Sequence, residues 1–81
     1  MSIRWTESAL AHLAEVPSPV GEAILRKVRL ASRFPRMFPE RQRGSYRSYR
    51  WFPADDWLVF YREVGRHVVV IGILYGGRRD A

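Results

Sequence analysis

The chain has no cysteine, a single lysine, two histidines and no long apolar run. Without cysteine there is neither a disulfide to hold the fold nor a thiolate to do chemistry. Two histidines with no cysteine leave too few ligands for a structural zinc site. No stretch reaches the roughly 18 apolar residues needed to span a bilayer. The opening segment, Met1 to Glu7, lacks a basic region followed by an apolar one, so no signal peptide is expected. The expectation is a soluble, cytoplasmic protein with no membrane partner. Motifs of nucleophilic and phosphate chemistry are missing too: there is no Gly-x-Ser-x-Gly, no phosphate-binding glycine loop and no cluster of carboxylates. Asp55-Asp56 is an isolated turn pair. No cofactor and no metal are expected.

What is present is arginine. The 81 residues allow one domain, 1–81, and the 47% hydrophobic and 27% charged content is that of a globular chain. Eleven aromatic residues help so small a core, because each ring buries a large area at little entropic cost. The formal charge is +6, and thirteen of the fourteen basic residues are arginine. Its distribution matters more than its size. Residues 26–50 hold nine basic side chains against Glu40 alone, a block of +8, and the rest of the chain sums to −2. Arginine's planar fork suits phosphate and carboxylate. The block is therefore either a solvated basic face or a surface for an anionic partner, nucleic acid or acidic protein.

Along the chain, residues 2–5 alternate and read as a short strand. Thr6 is placed to cap a helix running to about Val16, with Leu10, Leu13 and Ala14 at helical spacing. Pro17-Ser18-Pro19 ends it, and Ser18 is expected to cap a second helix. In that helix Val20, Ile24, Val28 and Ala31 form an apolar stripe, and Arg26, Arg29 and Arg33 form a basic one. Residues 34–44 are broken by Pro35 and Pro39 and read as a loop. Three strands follow, near 45–52, 57–64 and 67–74. Pro53 to Asp56 is read as a four-residue turn, and Gly65-Arg66 as a two-residue hairpin with glycine first. The expected fold is α+β, in the order β-α-α-β-β-β, a helical hairpin packed on a small antiparallel sheet.

The most specific signal lies in residues 47–80. Arg50-Trp51-Phe52-Pro53 leads to Trp57, then to Leu58-Val59-Phe60-Tyr61-Arg62. A turn and an apolar strand follow, and the chain closes on Leu74-Tyr75-Gly76-Gly77-Arg78-Arg79-Asp80. This pattern, with the order of elements, resembles the RelE/ParE superfamily of small bacterial toxins, and its ParE-like branch in particular. Members of that branch often read Leu-Ile-Phe-Tyr-Arg in the third strand and end on Leu-His-Gly-Arg-Arg-Asp. Here Tyr75 or Gly76 stands where the family has its histidine.

The resemblance implies the toxin of a type II toxin–antitoxin system: a growth-arresting and plasmid-stabilising protein, held in a hetero-oligomer with a cognate acidic antitoxin. ParE-like members inhibit DNA gyrase by protein–protein binding and need no catalytic group. RelE-like members cut messenger RNA on the ribosome, using lysines on the second strand and an arginine after the aromatic that opens the third. Aligned on Tyr61, that arginine position is Leu58, and the lysine positions fall near Tyr49 and Trp51. These departures favour the gyrase reading, with no catalytic residue. The residues expected to meet the target or the antitoxin are Arg26, Arg29, Arg33, Arg62, Arg78, Arg79 and Trp51. Arg62 alternatively pairs with Glu63 or Asp80 to fix the tail. If the chain is instead a ribonuclease, Arg47, Arg50 and Arg78 or Arg79 would stabilise phosphate, with Tyr75 or His67 in proton transfer. A third reading is a non-toxic, basic nucleic-acid-binding module. Apart from that catalytic alternative, His67, which opens a strand beside a turn, is expected to be solvated, and His12 to lie on the surface of its helix.

Overall fold

A computed structural model describes residues 1–76. Its elements are β1 (Ser2–Trp5), α1 (Glu7–Leu13), α2 (Ser18–Arg33), β2 (Arg50–Ala54), β3 (Trp57–Val64) and β4 (His67–Tyr75). The order is the expected one, and the class is α+β. The sheet, however, is mixed rather than antiparallel. Its strand order is β1-β4-β3-β2. β2, β3 and β4 form an antiparallel meander, and β1 lies parallel to β4, with Ser2 opposite His67 and Trp5 opposite Val70. A parallel pair needs a long crossover. Here the helical pair and the far edge of the sheet intervene, which hydrophobic periodicity cannot reveal.

Local chemistry explains the boundaries. The Thr6 hydroxyl accepts from Ala9 N at 3.0 Å and donates to the Ile71 carbonyl at 3.1 Å, so it caps α1 and ties it to β4. α1 stops at Leu13, short of Val16, where the chain turns into Pro17. Ser18 is the first helical residue of α2 rather than its cap. The Pro17 carbonyl already accepts from Val20 N and Gly21 N at 3.0 and 2.9 Å, and no side chain caps this end. Asp55-Asp56 alone joins β2 to β3, because Pro53 and Ala54 still pair with Leu58 and Trp57. Gly65 has φ +59°, as the glycine-first hairpin requires.

One face of the sheet receives both helices. Ile24, Val28 and Ala31 of α2 and Ala9 of α1 are buried against Phe52, Val59, Tyr61, Val68, Val70 and Ile73. Val20 and Leu13 pack at the margin of this core. Leu10, by contrast, is half exposed, because the buried line of α1 runs through Ala9.

Candidate functional site

The other face of the sheet is covered by the segment that leads into β2. Residues 45–49 were expected to be strand, but they curl back instead. Tyr46 and Ser48 take φ of +62° and +79°, and Tyr49 N bonds the Tyr46 carbonyl at 3.0 Å. Arg41 N donates to the Tyr49 carbonyl at 2.8 Å, and Ser48 N donates to the Arg41 carbonyl at 2.9 Å. A small hairpin closes on Glu40 and Arg50, which form an isolated bridge. The curl lays the Tyr46 ring flat on Phe60, at 4.5 Å between centroids and 15° between planes. Tyr49 meets Tyr46 edge-on at 5.8 Å. Phe60 is wholly buried although it faces away from the helices.

Gly72 makes this possible. A Cβ there would lie 2.7 Å from Tyr46 Cζ and closer still to its hydroxyl. A glycine inside an apolar strand is a sequence signal of close approach; this one marks where Tyr46 lies. The sequence reading missed Tyr46, Phe60, Gly72 and Arg41 as one cluster.

Arginines border these rings. The Arg41 guanidinium sits 5.2 Å from the Phe60 centroid and 6.0 Å from that of Trp51, and its Nε donates to the Arg43 carbonyl at 3.1 Å. Arg62 lies 5.3 Å from the Tyr49 ring and reaches its hydroxyl at 3.5 Å. Of its two alternative partners, Glu63 pairs instead with Arg36 at 3.8 Å, and Asp80 lies outside the described residues. Arg50 donates to the Phe38 carbonyl at 2.8 Å and pairs with Glu40 at 3.6 Å. Beside it the Tyr61 hydroxyl donates to the Pro35 carbonyl at 2.8 Å. Burial pushes this hydroxyl above the ordinary tyrosine value of 10.0, with Arg50 opposing in part. Arg36, Glu40, Ser48, Arg50, Arg62 and Glu63 line a cleft of about 430 Å³ at this end of the sheet.

The helix side carries a different surface. Arg26, Arg29 and Arg33 are exposed on α2. With Ile3, Leu30 and Ser32 they line an open groove between α2 and β1. Among the described residues none of these three arginines belongs to an ion pair.

The remaining expected residues are dispersed. Arg47 is exposed in the curl. Trp51 is half-buried under Arg41. Tyr75 is 65% exposed and packs edge-on against Trp57 at 5.1 Å. His67 is half-buried rather than solvated, and its Nδ1 is hydrogen-bonded to the Ser2 hydroxyl at 2.6 Å. His12 also departs from expectation: it is half-buried, with Nδ1 enclosed and unpartnered among the described residues. His67 and Tyr75 stand at opposite ends of the nine-residue β4, about 26 Å apart at the rise of an extended strand. Arg78, Arg79 and Asp80 lie outside the described residues. No cluster of metal-ligating side chains occurs among the described residues, and no helix there is long and apolar enough to cross a membrane.

A family model described as the ParE toxin of the type II toxin–antitoxin system parDE matches residues 3–80. The chain belongs to this toxin family. It is thereby a type II toxin of the RelE/ParE superfamily. Solved structures show the same fold. The toxin–antitoxin complex RelBE2 of Mycobacterium tuberculosis matches at TM-score 0.75 and 18% identity, over 91% of this toxin and 95% of that chain. The YoeB/ParE toxin of Agrobacterium tumefaciens matches at TM-score 0.72 and 22% identity, over 93% and 98%. The chromosomal ParDE system of P. aeruginosa matches at TM-score 0.71 and 17% identity, over 93% and 95%. No curated protein matches the toxin's sequence. Relatives this distant share the fold, and both branches of the superfamily are among them.

Proposed function

We propose that this toxin is ParE-like: it arrests growth in the cytoplasm by holding DNA gyrase through a protein–protein surface, and a cognate acidic antitoxin neutralises it. The observation that carries this reading is the dispersal of its proton-transfer groups. RNA cleavage needs a base, an acid and cations around one phosphate. His67 and Tyr75 cannot serve one phosphate from opposite ends of β4. Arg50 is already engaged by a carbonyl and a carboxylate. Holding a partner in one state requires no such convergence. The match to the parDE toxin family over residues 3–80 supports the same branch, and the antitoxin-bound relatives support a hetero-oligomer. On this reading Trp51 and Arg62, with Arg78 and Arg79 of the terminal segment, meet the target, and Arg26, Arg29 and Arg33 meet the antitoxin.

A RelE-like ribonuclease is the second reading. The cleft where Arg36, Arg50 and Arg62 surround Ser48 favours it, since three guanidinium groups there would suit a phosphate. Adding the purified toxin to gyrase and relaxed plasmid separates the two. The proposal expects supercoiling to stop, with Trp51→Ala weakening the effect. Unimpaired gyrase, together with messenger cleavage in a translating extract, would establish the second reading instead.

A further inference from the structure

The curl at 45–49 covers only part of the outer sheet face. It closes over Phe60 and Gly72, which stand opposite one another in β3 and β4. The next side chains along the same face stay open. Strand pairing sets Arg4 of β1 opposite Val69 of β4, and Val69 opposite Arg62 of β3. One row further, Ser2 lies opposite His67, and His67 opposite Val64. Ile3, Trp5, Tyr61, Val68 and Val70 turn to the helix side, so by alternation both of these rows share the outer face. Arg4, Arg62, Ser2 and Val64 are exposed.

Arg4 and Arg62 thus stand two strand spacings apart, about 10 Å, across a low floor of Val69. Neither belongs to an ion pair among the described residues. Glu63, next to Arg62 in the chain, is drawn to Arg36. The Arg62 guanidinium leans over Tyr49, on the side away from β1. A guanidinium stacked on a ring still presents N–H groups at its edge. The two arginines therefore do not close on one small anion, and they suit separate phosphates of one polymer. His67 sits between them. Its Nδ1 is held by the Ser2 hydroxyl at 2.6 Å, so Nε2 is the ring nitrogen left for a ligand.

The rings decide which polymer. Phe60 is covered by Tyr46, Tyr49 by Arg62 and Trp51 by Arg41. A single strand is held largely by stacking its bases on free rings, and the two open rows contain none but the half-buried His67. A protein partner is held by buried aromatic or aliphatic anchors, and here the floor is Val69 with Val64 at its rim. Duplex DNA asks for neither. Its phosphates are already ordered, and arginine contacts to them carry no sequence information.

We propose that Arg4 and Arg62, with His67 between them, bind the phosphate backbone of duplex DNA. Binding is independent of sequence and steeply salt-dependent. A gyrase target works on duplex DNA and would bring this face beside its ligand, but the proposal goes beyond that reading and its test needs no gyrase.

Purified toxin is titrated into a short fluorescent duplex over a series of salt concentrations. Each phosphate contact contributes about 0.9 to the slope of log affinity against log salt. The double variant Arg4→Gln, Arg62→Gln should therefore lower the slope by about 1.8. The matched pair Arg26→Gln, Arg29→Gln removes the same charge from α2 and should leave the slope unchanged. Circular dichroism checks that both variants fold. An equal fall in the two pairs would mean that net charge alone attracts the duplex, and overturns the site. An unchanged slope in the Arg4, Arg62 pair overturns it as well. Tighter binding to a single strand of the same length, or to a poly-glutamate peptide, overturns the assignment to duplex DNA.

Discussion

Two arginine-rich surfaces draw on one basic block, residues 26–50, with Arg62 of β3 added on the sheet face, yet they are built differently. On the outer sheet face three guanidinium groups are engaged within the toxin. Arg41 covers Phe60 and Trp51, Arg62 covers Tyr49, and Arg50 holds the Phe38 carbonyl and Glu40. On α2, Arg26, Arg29 and Arg33 stand around an open apolar groove with no ion pair among the described residues. The first set is tied into the fold, although Arg62 stays exposed enough to reach a target as well, and the second is free of such contacts among the described residues. A block of +8 in the sequence therefore says little about binding until each guanidinium is traced to what it touches.

Substitutions at the two surfaces should separate stability from recognition. Gly72→Val brings the largest change, because its branched side chain collides with Tyr46 and lifts the curl from Phe60. A loss of about 3 kcal/mol is expected in urea unfolding. Combining it with Tyr46→Ala should cost less than the sum of the two single changes. Arg50→Ala leaves the Phe38 carbonyl without its charged donor, and a loss of about 2 kcal/mol is expected.

Tyr61→Phe removes one hydrogen bond, to Pro35, and should cost about 1 kcal/mol near neutral pH. It also carries a pH signature. The folded state raises the Tyr61 pKa above 10.0, so this residue's contribution is complete below that value and is lost as pH rises through the folded-state pKa. Wild type should therefore lose more stability than the phenylalanine variant on the alkaline side. Arg29→Ala should bring the smallest change in stability, within about 0.5 kcal/mol, while the proposed antitoxin contact predicts weaker antitoxin binding. If Arg29→Ala destabilised the toxin as much as Arg50→Ala, the contrast between the surfaces would not hold.

The elements whose periodicity reports burial were legible in the sequence. Ile24, Val28 and Ala31 are buried as their spacing requires, Thr6 caps α1, and Gly65 turns the last hairpin. Features that depend on distant contacts were not. The parallel pairing of β1 with β4 joins residues 65 apart in sequence. The segment at 45–49 reads Ser-Tyr-Arg-Ser-Tyr and carries the tyrosines that strands favour, yet stacking of Tyr46 on Phe60 rewards the positive-φ turns that end it. Gly72 was the one local clue to that stacking. The dispersal of His67 and Tyr75 needed only the length of β4 once both were assigned to it.

The most direct test of the account is pulse labelling of new DNA and new protein after induced expression of the toxin without antitoxin. The ParE-like reading predicts that DNA synthesis stops first while translation continues. An early stop in translation with replication intact would contradict it, and would make the cleft around Arg36, Arg50 and Arg62 the place to look for RNA chemistry.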